Sequence, residues 1–233
     1  ILFAKRIAKS AVKTFRAFVR FEAKHMHPNP VFRGADSAQS LAFARARSFG
    51  TVSMNGDPVP LLAHVPFLLN EDASHADLHL VRSNPIARAL RDGPCIAKLS
   101  VTGPDSYVSP DWYEVDEQVP TWNYIAVHFT GTLELRPVET LRDLLDRQTA
   151  LFEQQLRPKK PWLAAKMTPD ILEKMMRAIV PVRMHIEDMQ STWKLGQNKP
   201  EPARLAAREV GEHGIGSEIQ TLAEWMKSPP ANS

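Results

Sequence analysis

Trp122-Asn123-Tyr124-Ile125-Ala126-Val127-His128-Phe129-Thr130-Gly131-Thr132-Leu133-Glu134-Leu135 is the stretch that decides the fold. Side chains alternate across a strand, so Asn123, Ile125, Val127 and Phe129 share one face, and Trp122, Tyr124, Ala126 and His128 the other. The run reads as one long strand with a bend. A strand of this length needs strand neighbours, and the flanking sequence supplies them.

Upstream, Gly50–Asn55, Val59–Leu69, Asp77–Val81 and Cys95–Val101 read as strands, with Asn55-Gly56-Asp57 as a hairpin signal between the first two. Gly103-Pro104 reads as the start of a loop, Tyr107–Pro110 as extended, and 111–119 as irregular. Downstream, Val180–Glu187 is a further strand. Helices are expected over Asp36–Arg47, with Asp36 or Ser37 as N-cap, over Pro85–Arg91, ended by Gly93-Pro94, over Leu141–Gln155, and from Thr168-Pro169 to about Ile179. The tail Glu201–Trp225 reads as two helices around Gly214 and Gly216. Closely spaced strands with short connections point to an α+β chain, mainly antiparallel: a barrel or sheet with peripheral and C-terminal helices. No G-x-G-x-x-G, P-loop or H-E-x-x-H is present, which leaves those nucleotide and zinc readings unsupported. No metal site is expected.

The chain has 233 residues and is 43% apolar, enough for a packed core. A single cysteine, Cys95, excludes an intramolecular disulfide framework and a thiolate zinc site, and makes a reducing, cytoplasmic setting the expectation. No apolar run is long enough to span a bilayer; Leu61–Leu69 is interrupted by His64 and Pro66. The net charge of +3 is unevenly placed. Residues 1–25 hold seven basic residues and one acid, Glu22, so the remainder is net −3, with 22 basic against 25 acidic residues. The body therefore offers no overall electrostatic case for nucleic acid. Residues 1–25 read as a basic amphipathic helix, with Phe3, Ile7, Ala11, Phe15 and Phe18 at helical spacing. It is a membrane-surface or nucleic-acid arm, a transit peptide, a partner-binding helix, or an extension upstream of Met26. The expected blocks are 1–25, a domain over 26–200 and a helical tail over 201–233.

Three places carry chemistry. In Arg82-Ser83-Asn84-Pro85 a strand enters a helix with Asn84 as N-cap and Pro85 in its first turn. Free N–H groups at a helix start suit an anion, Arg82 adds a planar two-donor fork and Ser83 a hydroxyl. The plain alternative is a capped helix beside a surface arginine. In Thr121-Trp122-Asn123-Tyr124, aromatic rings beside an amide suit a flat ring held by stacking and edge contacts, or else form an aromatic core face. Tyr107, Ser109, Trp112 and Tyr113 add to this aromatic density. Lys194, Gln197 and Asn198 suit a phosphate or a ring edge, or are an ordinary polar turn. His64, His79 and His128 are candidate proton donors, or structural histidines.

In these residues the chain resembles the PaiB family of FMN-binding negative transcriptional regulators. The resemblance runs from about Met26 to Glu209. It rests on Ser48-Phe49-Gly50-Thr51, Ala63-His64-Val65-Pro66-Phe67, His79 with Arg82-Ser83-Asn84-Pro85, Gly103-Pro104 with Tyr107-Val108-Ser109-Pro110 and Trp112-Tyr113, Val119-Pro120-Thr121-Trp122-Asn123-Tyr124 with Val127-His128, and Lys194-Leu195-Gly196-Gln197-Asn198. Leu78 stands where the family usually has Gly, and Gly196 where it usually has Ser. The resemblance implies an FMN-binding split barrel, similar in fold to pyridoxamine-phosphate oxidases, in which two subunits form the cofactor sites at their interface. It makes Arg82-Ser83-Asn84 the phosphate site.

The expected function is an FMN-binding regulator that senses through a dimeric flavin site. A flavin-dependent oxidoreductase is the alternative, and a haem-linked role a third reading that needs an axial ligand. DNA enters as a partner through the family alone. If Arg82 holds the flavin phosphate, Arg82→Ala weakens FMN binding by about 1.5–3 kcal/mol, the scale of a charged hydrogen bond. Unchanged affinity in a fluorescence titration removes Arg82 from that role.

Overall fold

A computed structural model describes residues 25–230. The helix expected over 1–25 falls outside the described residues, His25 aside. Seven strands form one antiparallel sheet: β1 (Phe49–Met54), β2 (Leu61–Leu69), β3 (His75–Val81), β4 (Cys95–Val108), β5 (Thr121–Leu135), β6 (Ile179–Lys194) and β7 (Ile215–Ser217). Their order is β1-β2-β3-β6-β5-β4-β7, and a further pairing of β1 with β4 closes the first six into a barrel. The helices are α1 (Ser37–Arg47), α2 (Pro85–Ala89), α3 (Leu141–Gln155), α4 (Pro169–Met176), α5 (Ala203–His213) and α6 (Ile219–Lys227).

The barrel is split on one side. β2 and β3 pair from Leu69↔Ala76 to Phe67↔Leu78, and there the ladder stops. β2 continues against β1, from Pro66↔Phe49 to Leu61↔Met54, while β3 continues against β6. β5 and β3 are therefore not neighbours, because β6 lies between them.

Two strands outrun their sequence reading. β4 passes through Gly103-Pro104 instead of opening into a loop there. A register shift between Thr102 and Asp105 accommodates the proline, which has no N–H to give the ladder. Gly103 is required for a second reason: a Cβ there would stand 2.3 Å from the Phe43 ring. β6 runs on to Lys194 because a bulge opposite Thr130 and Gly131 resets its pairing with β5. β7 gave no periodic signal. It is three exposed residues on the outer half of β4, and a Cβ on Gly216 would lie 2.1 Å from the Asp105 carbonyl oxygen.

The long strands serve two cores. Inside the barrel, Val52, Phe67, Leu78, Leu99, Val127, Phe129 and Met184 are buried together. Where β4, β5 and β6 extend beyond the ring, α5 and α6 cover them, and Tyr113, Ile125, Trp193, Ala207, Leu222 and Met226 form a second core. Phe43 of α1 packs against both. Its ring meets Trp193 edge-on at 5.6 Å, and Trp193 meets Trp225 at 5.0 Å. α1 is placed by Asp36, whose carboxylate accepts from Gln39 N–H at 2.6 Å, and by Ser48, in the left-handed region at φ 45. Ser48 donates its N–H to Ala44 O and accepts at its own carbonyl from Phe67 N–H, turning the chain into β1.

α3 covers the outer side of β2 and β3. Gln148 donates to Pro66 O at 3.2 Å, and Arg183 makes two bonds to Asp77, at 2.7 and 2.9 Å. Burial pushes the Asp77 carboxyl up, but the hydrogen bonds and charge of Arg183 more than reverse it.

Gly131 tests the bulge. A Cβ there would lie 1.8 Å from the His185 carbonyl oxygen, which belongs to backbone. Gly131→Ala should cost about 3 kcal/mol or more, at the upper end of overpacking effects. A urea-unfolding midpoint equal to wild type would show that β5 and β6 separate freely at this point.

Candidate flavin site on the outer barrel wall

Directly opposed residues of antiparallel strands share a face. His64 of β2 opposes Thr51 of β1, Thr51 opposes Ser100 of β4, Ser100 opposes His128 of β5, and His128 opposes Gln190 of β6. Five polar side chains thus form one row across the outer wall, roughly 19 Å long at the usual strand spacing. Thr51 Oγ1 and His64 Nδ1 share a hydrogen bond of 2.9 Å. Exposed Phe49 and Leu62 flank the row on the β1–β2 side. α3 covers β2 and β3 beside this row, at Pro66 and His79, and leaves His64 exposed, while Thr51, Ser100, His128 and Gln190 are partly buried. At the edge of the row Arg47, Phe49, Gly50, Thr51, His64 and Thr102 line a cleft of about 440 Å³. No acidic side chain lines it, which favours an anionic guest.

Carried past its last pair, the β2–β3 register would set Val81 opposite His64. The ladder ends at Phe67↔Leu78, so His64 and Arg82-Ser83-Asn84 stand on the two strands that part at the split. Asn84 is the expected cap, accepting from Ile86 N–H at 2.9 Å, with Pro85 first in the short α2. Arg82 is already engaged: Nε donates to Arg177 O at 2.9 Å, and a terminal nitrogen to Ile179 O at 3.2 Å. It braces the return of α4 into β6. Ser83 is exposed.

The other group lies at the far end of the long strands. Tyr107 and Trp122 are cross-strand partners with rings 6.4 Å apart, and Trp122 is 47% exposed. Lys194 donates to Thr121 Oγ1 and lies 6.0 Å from the Phe32 ring centroid. Burial, with Lys199 nearby, lowers the Lys194 pKa. Asn123 is buried: its amide nitrogen meets Met226 Sδ at 3.5 Å and its Oδ1 has no partner. Gln197 is spent on its own turn, accepting from Leu195 N–H and donating to Trp193 O. Ser109 starts a 3-10 turn by accepting from Trp112 N–H, and Asn198 is exposed. Thr121, Trp122, Tyr107 and Lys194 therefore remain to meet a guest, while Asn123 and Gln197 hold structure.

His79 belongs to neither group. It lies under α3 with Nδ1 donating to Gln148 Oε1 at 3.0 Å, and burial lowers its pKa. Burial, then the Lys98 charge, lowers that of His128.

The two groups are far apart. β6 pairs Ile179 with Val81 at one end and Lys194 with Tyr124 at the other, a strand path of roughly 50 Å. That is far longer than a flavin nucleotide. Ser100, Gln190 and Arg47 were not singled out in the sequence, and Thr51 entered only as the end of the Ser48–Thr51 motif. Alternation marks the three strand residues as outward, but only the register places them in line.

A closed antiparallel barrel, split between two of its strands and carrying an anion-favouring cleft on its outer wall, defines the class of FMN-binding split barrels. The chain belongs to the family described as "Putative FMN-binding domain", which matches residues 26–188. It is 28% identical over 198 residues to "Protease synthase and sporulation protein PAI 2" of Bacillus subtilis, covering 84% of this chain and 94% of that protein. Among solved structures, a conserved hypothetical protein of Mycobacterium tuberculosis superposes with a TM-score of 0.51 at 17% identity, over 77% of this chain and 95% of that one. The FAD and heme binding protein of Mycobacterium smegmatis gives 0.50 at 16%, over 78% and 80%. At such identities these structures support the fold alone. The cofactor is FMN, and the residues present fit it. The cleft holds the Arg47 guanidinium, paired at its mouth with Glu218, for a phosphate, and the wall offers hydroxyls and imidazoles to a ring with donors and acceptors along its edge.

His75, His79 and His128 all have pKa values lowered in the fold, each chiefly by burial. The unfolded chain, with histidines near 6.5, then binds more protons just below that pH, so stability falls as pH drops through about 6.5. The urea midpoint should be lower at pH 5.5 than at pH 7.5, and His79→Gln with His128→Gln should shrink the difference. An undiminished difference in the double variant assigns it to other groups.

Proposed function

We propose that the chain is an FMN-binding regulatory protein working as a homodimer. Each flavin lies between the His64, Arg82, Ser83 and Asn84 side of one copy and the Trp122 end of the other. One observation carries this reading: the two groups of candidate residues stand at opposite ends of β6, too far apart for one flavin, yet both are open to a guest. A second copy running antiparallel would bring them together, and exposed Phe49, Leu62 and Trp122 supply apolar contact. When bound, FMN supplies one- and two-electron chemistry. The chain's own residues orient it: the His64–Thr51 pair and Ser100 offer hydrogen bonds along the wall, and Trp122 a stacking face. His128 stays neutral at physiological pH and both donates and accepts.

The regulatory part takes support from the Bacillus relative, whose name joins it to protease synthesis and sporulation. Net-negative residues 26–233 argue for control through a partner protein or redox state, with any direct DNA contact left to residues 1–25. A free, half-buried Cys95 suits a reducing cytoplasm. No helix of the described residues is long and apolar enough to cross a membrane. A flavin-dependent oxidoreductase is the second reading, favoured by the open cleft beside the polar row. Steady NAD(P)H oxidation with added FMN would establish it.

Complementation tests the shared site. Arg82→Ala and Trp122→Ala should each retain little flavin, while a refolded equimolar mixture regains about a quarter of the wild-type sites, because half of the dimers carry one intact site. No recovery, or a monomer by light scattering, defeats the proposal. In gel shifts at graded salt, the protein without residues 1–25 should show no specific DNA binding. Retained specific binding would place DNA recognition on the barrel.

A further inference from the structure

Arg47 stands at the mouth of the cleft. It ends α1, and the left-handed turn at Ser48 sets it beside Phe49 at the cleft edge. Its guanidinium donates to both carboxylate oxygens of Glu218, at 3.0 and 2.8 Å, and lies 5.7 Å from the Phe43 ring centroid. Glu218 is the N-cap of α6 and sits at φ 55, a state that glutamate adopts only under constraint. The two side chains are 31% and 44% exposed, so the pair is formed in water and is cheap to exchange. Inside the cleft, Thr51 and Thr102 offer hydroxyls and His64 an imidazole. The carboxylate on Arg47 comes from a distant segment, and the cavity that Arg47 lines has no acid of its own.

We propose that this cleft is an oxyanion site of the phosphate class, in which Arg47 is the anchor and Glu218 its resting occupant. A phosphate presents two or three acceptor oxygens to the guanidinium fork, where the carboxylate presents two, and carries more charge. It gains the threonine hydroxyls, which Glu218 does not reach. When the anion takes Arg47, Glu218 is released and the start of α6 loses its tie to α1. Occupancy of the cleft is thereby linked to the outer layer of the second core. The oxyanion comes from one of two sources, the phosphate of FMN itself or a separate phosphorylated ligand. Only the first rests on the flavin reading.

The test uses the full chain as wild type, Arg47→Ala, Arg47→Lys and Glu218→Gln. FMN and riboflavin are titrated by flavin fluorescence, and inorganic phosphate is titrated into the flavin-saturated protein by calorimetry. If wild type takes no flavin, phosphate is titrated into the protein alone. The expected signature is opposite signs. Arg47→Ala weakens binding about tenfold or more, and Glu218→Gln tightens it several-fold by removing the competitor. A contrast on FMN that riboflavin does not show assigns the anion to the flavin phosphate. A contrast on inorganic phosphate assigns it to a separate ligand. If both variants shift affinity in the same direction, or leave every titration within about twofold of wild type, the pair is only a brace between α1 and α6 and the proposal is overturned. Melting temperatures measured alongside, with Arg47→Lys retaining the charge, separate a folding loss from a binding loss. Failure of wild type to take FMN defeats the flavin reading, while the phosphate titrations still decide Arg47.

Discussion

Thr51 to Met54 of β1 pair with Ser100 to Ala97 of β4, and the barrel depends on this closure. It needs backbone against backbone: a Cβ on Gly50 would stand 2.7 Å from the Ser100 carbonyl oxygen. Joining these edges satisfies N–H and C=O groups that would otherwise invite other chains, and fixes the register around the ring. The register then does two further things. It lines His64, Thr51, Ser100, His128 and Gln190 across the wall, and it draws β2 away from β3, opening the split beside Arg82-Ser83-Asn84. Slipping β1 by one residue would turn Val52 outward and Thr51 into the core, and both the packing and the row would be lost.

The strands of the ring differ in length for a reason. β1, β2 and β3 are short and serve only the barrel core. β4, β5 and β6 continue past it and carry a second apolar surface that α5 and α6 must cover. Phe43 and Trp193 sit where the two cores meet, so movement of the outer helices is felt at α1 and, through Arg47 and Ser48, at the cleft. Arg47 and Glu218 place the cleft edge in contact with the start of the last helix.

Much of this was legible in the residues. The alternation of Asn123–Phe129, the Asn84-Pro85 helix start and the apolar stripe of α3 each depend on neighbours in sequence, and each is found where local chemistry puts it. The misses depend on contacts with distant segments. Gly103-Pro104 has loop chemistry, yet the ladder carries it because Phe43 fills the space that a side chain at Gly103 would take. β7 is too short and too exposed to have a period, and exists because Gly216 lets it press against β4. The row is invisible for the same reason: Thr51, Ser100 and Gln190 are ordinary outward residues until three separate ladders align them. Arg82 shows a contact that the residues alone do not reveal, since a cation that suits an anion in isolation spends part of its donor capacity on the carbonyls of Arg177 and Ile179.

That engagement bears on how an anion is held at all. A guanidinium has five N–H donors, and Arg82 commits two of them to carbonyls on the α4–β6 return. α2 is too short to sum a useful dipole, and Pro85 removes one of its free N–H groups. Arg91, whose guanidinium lies 3.5 Å from the Arg82 carbonyl oxygen, is a cation at the split itself, and others lie further off. Within one copy the outer wall carries Arg47 and Lys98; across the proposed dimer the candidate is Lys194, whose ammonium is already partly stripped of water and would gain from meeting an anion. If one of the more distant cations serves, flavin affinity depends on a group remote in sequence from Arg82-Ser83-Asn84.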